Sequence, residues 1–198
     1  QADDNLEDSE IIYLGYKQSE KTLATVAQSN MVNYAKGLLQ IEQAELALSQ
    51  ARSAMYSVNT RRANGLATQA EVLSAQETLM TAERSIESAR AGAENVRQKL
   101  LVMLGWQYDA SPEIRNIPAA DMQRIGGMDP QADKERAVEN NYTLKINKKK
   151  LANAQTANTI DSLEKTIKDN EQKIGSSLVT NYQNVLTAKL AYDQAVSE

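Results

Sequence analysis

Carboxylates, amines, guanidinium groups, alcohols and amides are all that this sequence can bring to chemistry, because its 198 residues include neither Cys nor His. That removes disulfides, thiol nucleophiles and the soft or imidazole metal ligands. It also removes the commonest general base and every Ser-His or Cys-His arrangement. A carboxylate-only site is what remains, and the acids are spread along polar faces rather than paired. The chain is therefore expected not to be an enzyme and to hold no metal or cofactor. Lys145, Lys148, Lys149 and Lys150 form the one dense basic run, read as a solvated helix face. With a net charge of -4, no broad nucleic-acid surface is expected.

The most structured set of functional side chains lies in Arg61-Arg62-Ala63-Asn64-Gly65-Leu66-Ala67-Thr68-Gln69-Ala70-Glu71. Arg61 and Arg62 suit the last turn of a helix, where cations complement the dipole. Gly65 can take the left-handed conformation that ends the helix, with Leu66 folding back as its hydrophobic partner. Thr68 with Glu71 three residues later is a capping box that starts a new helix. The spacing predicts a tight antiparallel hairpin.

Long elements must carry that turn. Phe is absent, aromatics are 5% and hydrophobic residues 41%, a composition that favours Ala-, Gln- and Leu-rich helices over a compact globule. Over 66–104, Val72, Leu79, Ile86, Ala93 and Leu100 recur every seven residues. Ala75, Ala82, Ala89, Val96 and Met103 follow three behind. Upstream, Tyr34, Ile41, Leu48 and Met55 pair in the same way with Ala44, Ala51 and Val58. These are the a and d positions of a coiled coil, with Ala at most d positions so that two helices can approach closely. Leu66, Leu73 and Met80 supply a second apolar stripe for further helices, so the fold is expected to need neighbours.

All three prolines (Pro112, Pro118 and Pro130) fall in one stretch with Gly105, Gly126 and Gly127, which marks residues 105–130 as a short irregular linker. Trp106, Tyr108, Ile114 and Ile117 suggest that the linker packs against something. Asp129-Pro130 reads as an N-cap followed by proline at the first helical position. One helix is expected from about 130 to the C-terminus. Asn33-Tyr34 with Leu38 returns as Asn181-Tyr182 with Leu186, and Glu20-Lys21-Thr22-Leu23 as Glu164-Lys165-Thr166-Ile167. The offsets, 148 and 144 residues, point to a duplicated unit. The longest apolar run, Leu100 to Leu104, is too short to span a membrane. Gln1 is not an initiator Met, which is read as a removed signal peptide or an excised fragment.

The run from Gly65 to Gln76, with Thr68 three residues after the Gly and then Glu71-Val72-Leu73, resembles the helix-turn-helix tip of the outer membrane efflux protein (TolC-like) family. Leu104-Gly105 is similar to the end of that family's following helix. Ala137-Val138-Glu139-Asn140-Asn141-Tyr142-Thr143-Leu144 is similar to the opening of its next repeat, and the Asn-Tyr-x-x-x-Leu segments to the start of its hairpin helices. The resemblance implies an all-α chain of long antiparallel coiled-coil helices, a TolC-like α-barrel protomer. It divides as a hairpin over 1–104 with its tip near 61–68, a linker over 105–130, and one long helix of a second pseudo-repeat over 131–198 that stops before its own tip.

The resemblance also implies a trimeric exit duct of a tripartite efflux or type I secretion system, partnered by a membrane-fusion adaptor and an inner-membrane pump. Its place would be extracytoplasmic, in the cell envelope. Gly65, Leu66 and Thr68 map onto the adaptor-docking tip, flanked by the basic Arg61 and Arg62, and Glu71 onto an acidic position near the tunnel aperture. Outer-membrane members carry a pair of long strands between the repeat opening and the Asn-Tyr helix. Here about forty residues separate Asn141 from Tyr182, and they read as helix without strand alternation. The alternatives weighed are an adaptor-protein hairpin, which should be flanked by β-rich segments, and a structural or surface coiled-coil protein.

Overall fold

The computed structural model describes residues 5–197, so Gln1 lies outside the described residues. The described residues form six helices and no strand: α1 (Ser9–Ala63), α2 (Gln69–Met103), α3 (Met122–Gly126), α4 (Pro130–Glu139), α5 (Tyr142–Asn153) and α6 (Ala157–Ser197). The all-helical expectation therefore holds. The chain divides into two compact units, one over 24–118 and one that joins residues up to 23 with those from 119 onward. α1 contributes to both.

In the 24–118 unit, the rest of α1 packs on α2. Contacts pair the two helices in opposite chain directions: Arg61 with Glu71, Glu45 with Arg90, and Gly37 with Ala93. Solvent exclusion follows the seven-residue repeat. Tyr34, Ile41, Leu48 and Met55 are at least partly buried on α1, as are Val72, Leu79, Ile86, Ala93 and Leu100 on α2. Most intervening positions are exposed. Gly37 occupies the position three after Tyr34, which the sequence reading left blank, and it is buried. A Cβ built on Gly37 would lie 3.1 Å from the Ala93 Cβ and 3.2 Å from its Cα. The helix backbones approach closely here because neither residue adds bulk.

Both helices of this unit end in the same way. Gly65 (φ 72°) lets the Leu66 N–H donate to the Arg61 carbonyl (2.7 Å) and the Gly65 N–H to the Arg62 carbonyl (2.9 Å). Gly105 (φ 81°) repeats the pattern, with the Trp106 N–H to the Leu101 carbonyl (2.9 Å) and the Gly105 N–H to the Val102 carbonyl (3.1 Å). A glycine in the left-handed region closes each helix by these paired bonds. The irregular stretch that follows is tied back by Arg97, whose Nη1 donates to the Ala110 carbonyl at 2.6 Å while Nε and Nη2 hold Glu94. Ile114 is partly covered, but Trp106, Tyr108 and Ile117 stay exposed, so the expected packing of these residues is only partial within this unit.

In the other unit, three helices stand where one is expected from about 130. Asp129 caps α4 through the Gln131 and Ala132 N–H groups, with Pro130 at the first position as the spacing predicts. The helix then breaks at Asn140-Asn141, because the Asn141 side chain accepts from the Leu144 N–H (3.0 Å) and caps α5 instead of continuing α4. A second break follows Asn153, where Ala154 turns extended (ψ 139°). Helix propensity over the stretch is good, but the Asn141 side chain competes for the backbone at the first break. Leu144, 1% exposed, anchors the core of this unit, and Ile11 on α1 is also buried. α6 runs unbroken through Gly175, over which the Lys134 stem lies: a Cβ there would meet the Lys134 Cε at 3.0 Å.

The basic run on α5 is not the free solvated face expected of it. Lys148 pairs with Glu171 of α6 (2.9 Å), Lys149 with Glu10 and more loosely with Asp8, and Lys150 with Glu7 (2.6 Å). Lys145 lies 5.5 Å from the Tyr142 ring centroid. Asn153 Nδ2 adds bonds to the Leu6 carbonyl (3.0 Å) and Asp8 Oδ2 (2.8 Å), and Asp8 Oδ1 accepts from the Ile11 N–H to start α1. These bonds hold the Asp8 carboxyl below its ordinary range, the Asn153 bond first among the causes and the Ile11 bond second. Acids from the start of α1 and the segment before it, and Glu171 from α6, thus meet this run, which no local pattern announces.

The Gly37–Ala93 approach sets a stability prediction. Gly37→Val introduces three carbons where even one would sit 3.1 Å from its neighbour. The expected loss is about 1–3 kcal/mol despite a gain in helix propensity. Gly92→Ala, where a Cβ meets nothing within 4 Å, should be neutral or stabilising. Urea melts of the two variants check both.

Candidate functional site

The turn between α1 and α2 is the most cross-linked exposed feature of its unit. Thr68 sits in extended backbone (φ -80°, ψ 163°) and caps α2. Its hydroxyl accepts from the Glu71 N–H (3.2 Å), and its own N–H donates to Glu71 Oε2 (2.7 Å), which closes the reciprocal box. The other Glu71 oxygen accepts from Arg61 Nη2 at 3.0 Å. That same Nη2 donates to the Leu66 carbonyl, also at 3.0 Å. One guanidinium therefore joins the last turn of α1, the turn residue and the first turn of α2.

Glu71 is held below the ordinary glutamate value of 4.5, chiefly by the Thr68 N–H, then by the Thr68 hydroxyl and by Arg61. It is ionised at neutral pH and its oxygens are engaged within the turn. Arg62, one residue from Arg61, makes no side-chain hydrogen bond or ion pair among the described residues and is exposed. Leu66 does not fold back as a hydrophobic partner: it remains 69% exposed. The residue it would cover, five positions earlier, is Arg61, whose polar end is occupied with the Leu66 carbonyl instead. The turn thus places Gly65, Leu66, Thr68, Glu71, Arg61 and Arg62 together. The sequence motif identified all six, but it missed the Arg61 bridge, for which the only signal was an arginine and a glutamate on either side of a glycine turn.

Away from the turn, Leu73 and Met80 are exposed like Leu66 and continue its stripe along α2 at intervals of seven. A matching stripe on α1, Val32, Leu39 and Leu46, is exposed as well and escaped the sequence reading because it lies outside the a and d series. Between the two helices, one open groove of about 690 Å³ is lined by Glu45, Arg52, Glu83, Glu87 and Arg90 over Leu48 and Ile86. Another is lined mostly by small residues, among them Ala47, Ala51, Ala54, Ser74 and Ala82. Hydroxyls and carboxylates line both, Ser49 and Ser53 beside the acids of the first and Ser74 and Ser85 with Glu77 in the second. Among the described residues no group of acids could hold a metal ion, and no helix is long and apolar enough to cross a membrane. The apolar rows on both helices thus stand open to solvent.

No protein-family model, curated protein or solved structure matches the chain.

Two outcomes test the turn. Thr68→Ala, which removes the cap hydroxyl, should cost about 1 kcal/mol in a thermal melt. Glu71 has a folded-state pKa depressed below 4.5, so its contribution is fully present above that value and is lost as pH falls through the lower, folded value. Hydrogen-exchange protection at the first turn of α2 should therefore be flat above pH 4.5 and fall on acidification. In Glu71→Gln it should be lower from the start and lack that step.

Proposed function

We propose that this chain is an exit-duct component of a tripartite efflux or type I secretion system, a passive conduit that docks a periplasmic-type adaptor through the turn at Gly65, Leu66 and Thr68. The observation that carries the reading is Leu66. A leucine held out into solvent on a turn braced by Arg61, Thr68 and Glu71 serves no folding purpose of its own, and small interfaces depend on such apolar anchors. The bracing means that little order is lost when a partner binds.

The exposed stripes on α1 and α2 support association with further helices, since two three-membered apolar rows are left uncovered. A trimer, an adaptor, an inner-membrane pump and a site in the extracytoplasmic cell envelope follow from the family resemblance. In this reading Glu71 keeps its negative charge near the aperture, but that charge is shared with Arg61 and braces the turn. An adaptor hairpin is the weaker reading, because no strand flanks the helices among the described residues. A structural coiled-coil protein would use the stripes equally well, yet it gives Leu66 no task.

Leu66→Ser separates duct from structural protein. In the full-length chain it should leave helicity and melting nearly unchanged, because the side chain is mostly in water already. It should impair drug or dye export in cells that carry the cognate pump. Normal export with a normal melt would remove the docking role and favour the structural protein.

A further inference from the structure

Between Arg52 and Glu77 the only charged residues are Arg61, Arg62 and Glu71. Two of the three are consumed within the turn: Arg61 holds the Leu66 carbonyl and Glu71, and Glu71 is further bound by Thr68. Arg62 is left as the one unpaired charge in this stretch, so the turn carries a net +1 on a chain whose net charge is -4. Arg62 belongs to the same closed turn as Leu66: its carbonyl accepts from the Gly65 N–H at 2.9 Å, the Leu66 N–H bonds the Arg61 carbonyl just before it, and both residues are exposed.

We infer that the surface which receives this turn is an apolar pocket for Leu66 bordered by a carboxylate for Arg62. This deepens, and rests on, the reading of the turn as a docking element. A guanidinium moved out of water without an opposite charge costs more than an apolar contact returns, so a partner that covers Leu66 has to neutralise its neighbour. Planar guanidinium favours two-point pairing with a carboxylate over other acceptors. The other two charges on this end, Arg61 and Glu71, are paired with each other, which leaves Arg62 as the charge without a partner. The two arginines thus divide the work. Arg61 shapes the turn from within, and Arg62 selects what binds.

The test uses the full chain in the cells that make it. A photo-crosslinking p-benzoylphenylalanine replaces Ala63, an exposed residue between Arg62 and the turn, and the crosslinked peptide is sequenced. The expected result is a partner segment with an Asp or Glu within one helical turn of the crosslinked atom. Arg62→Glu should lower the crosslink at least tenfold, Arg62→Gln should lower it less, and mutation of that partner acid to Lys should restore it in the Arg62→Glu background. Melting of both variants should match the parent, which is read alongside. A crosslink that maps to a segment without an acid, or that survives Arg62→Glu undiminished, overturns the acidic pocket while the docking role stands. If no protein crosslinks from position 63, both the pocket and the docking role fall.

Discussion

The seam between α1 and α2 is the constraint on which the rest of the 24–118 unit depends. Its core positions alternate one larger residue with one that is usually Ala or Gly, and the chain has no Phe to thicken it. Small residues let the backbones close to the distance seen at Gly37 and Ala93. The same small residues bury little area, and apolar area is what drives helices together. A seam of this kind brings the helices close but adds little stability. That explains why apolar rows remain on the outer faces, at Val32, Leu39 and Leu46 and at Leu66, Leu73 and Met80: they are the area that the seam itself does not use.

A thin seam also places more of the burden on the turn. Small residues interlock less than large ones, so the turn has more of the register to fix. Here the pin is polar. Gly65 stops α1, the Thr68–Glu71 box starts α2, and Arg61 spans the gap to hold both. The bonds are exposed, and each alone is weak in water. Their value lies in geometry, because they fix where Leu66 and Arg62 emerge.

The other unit solves the same problem differently. Its helices α4 and α5 are short, cut by Asn141 and by Ala154, and a short helix is marginal without tertiary support. Support comes from the long α6 on one side and from the start of α1 on the other, through Leu144 and Ile11 in the core and the lysines of α5 around it. α6 begins at residue 157 and α1 at residue 9, an offset of 148 that equals the spacing between Asn181 and Asn33. The Asn33 and Asn181 segments therefore lie equally far into two long helices, whereas the Glu20 and Glu164 segments, offset by 144, differ by four residues.

What the sequence determined by itself is local or periodic. The caps at Thr68 and Asp129, the stop at Gly65 and the seven-residue rows that are at least partly buried were legible because each depends on residues within one or two helical turns. What only the tertiary structure decided depends on residues distant in the chain. The Asn141 break went unread although asparagine favours a cap over a helix interior, because the residues on both sides of it are good helix formers. The lysine run looked like solvated surface because its acids, Glu7, Glu10 and Glu171, arrive from other helices. Leu66 could be placed at the turn from spacing, but whether it folded in or stood out depended on what lay beneath it. An arginine already bound to the backbone left it no apolar surface to cover.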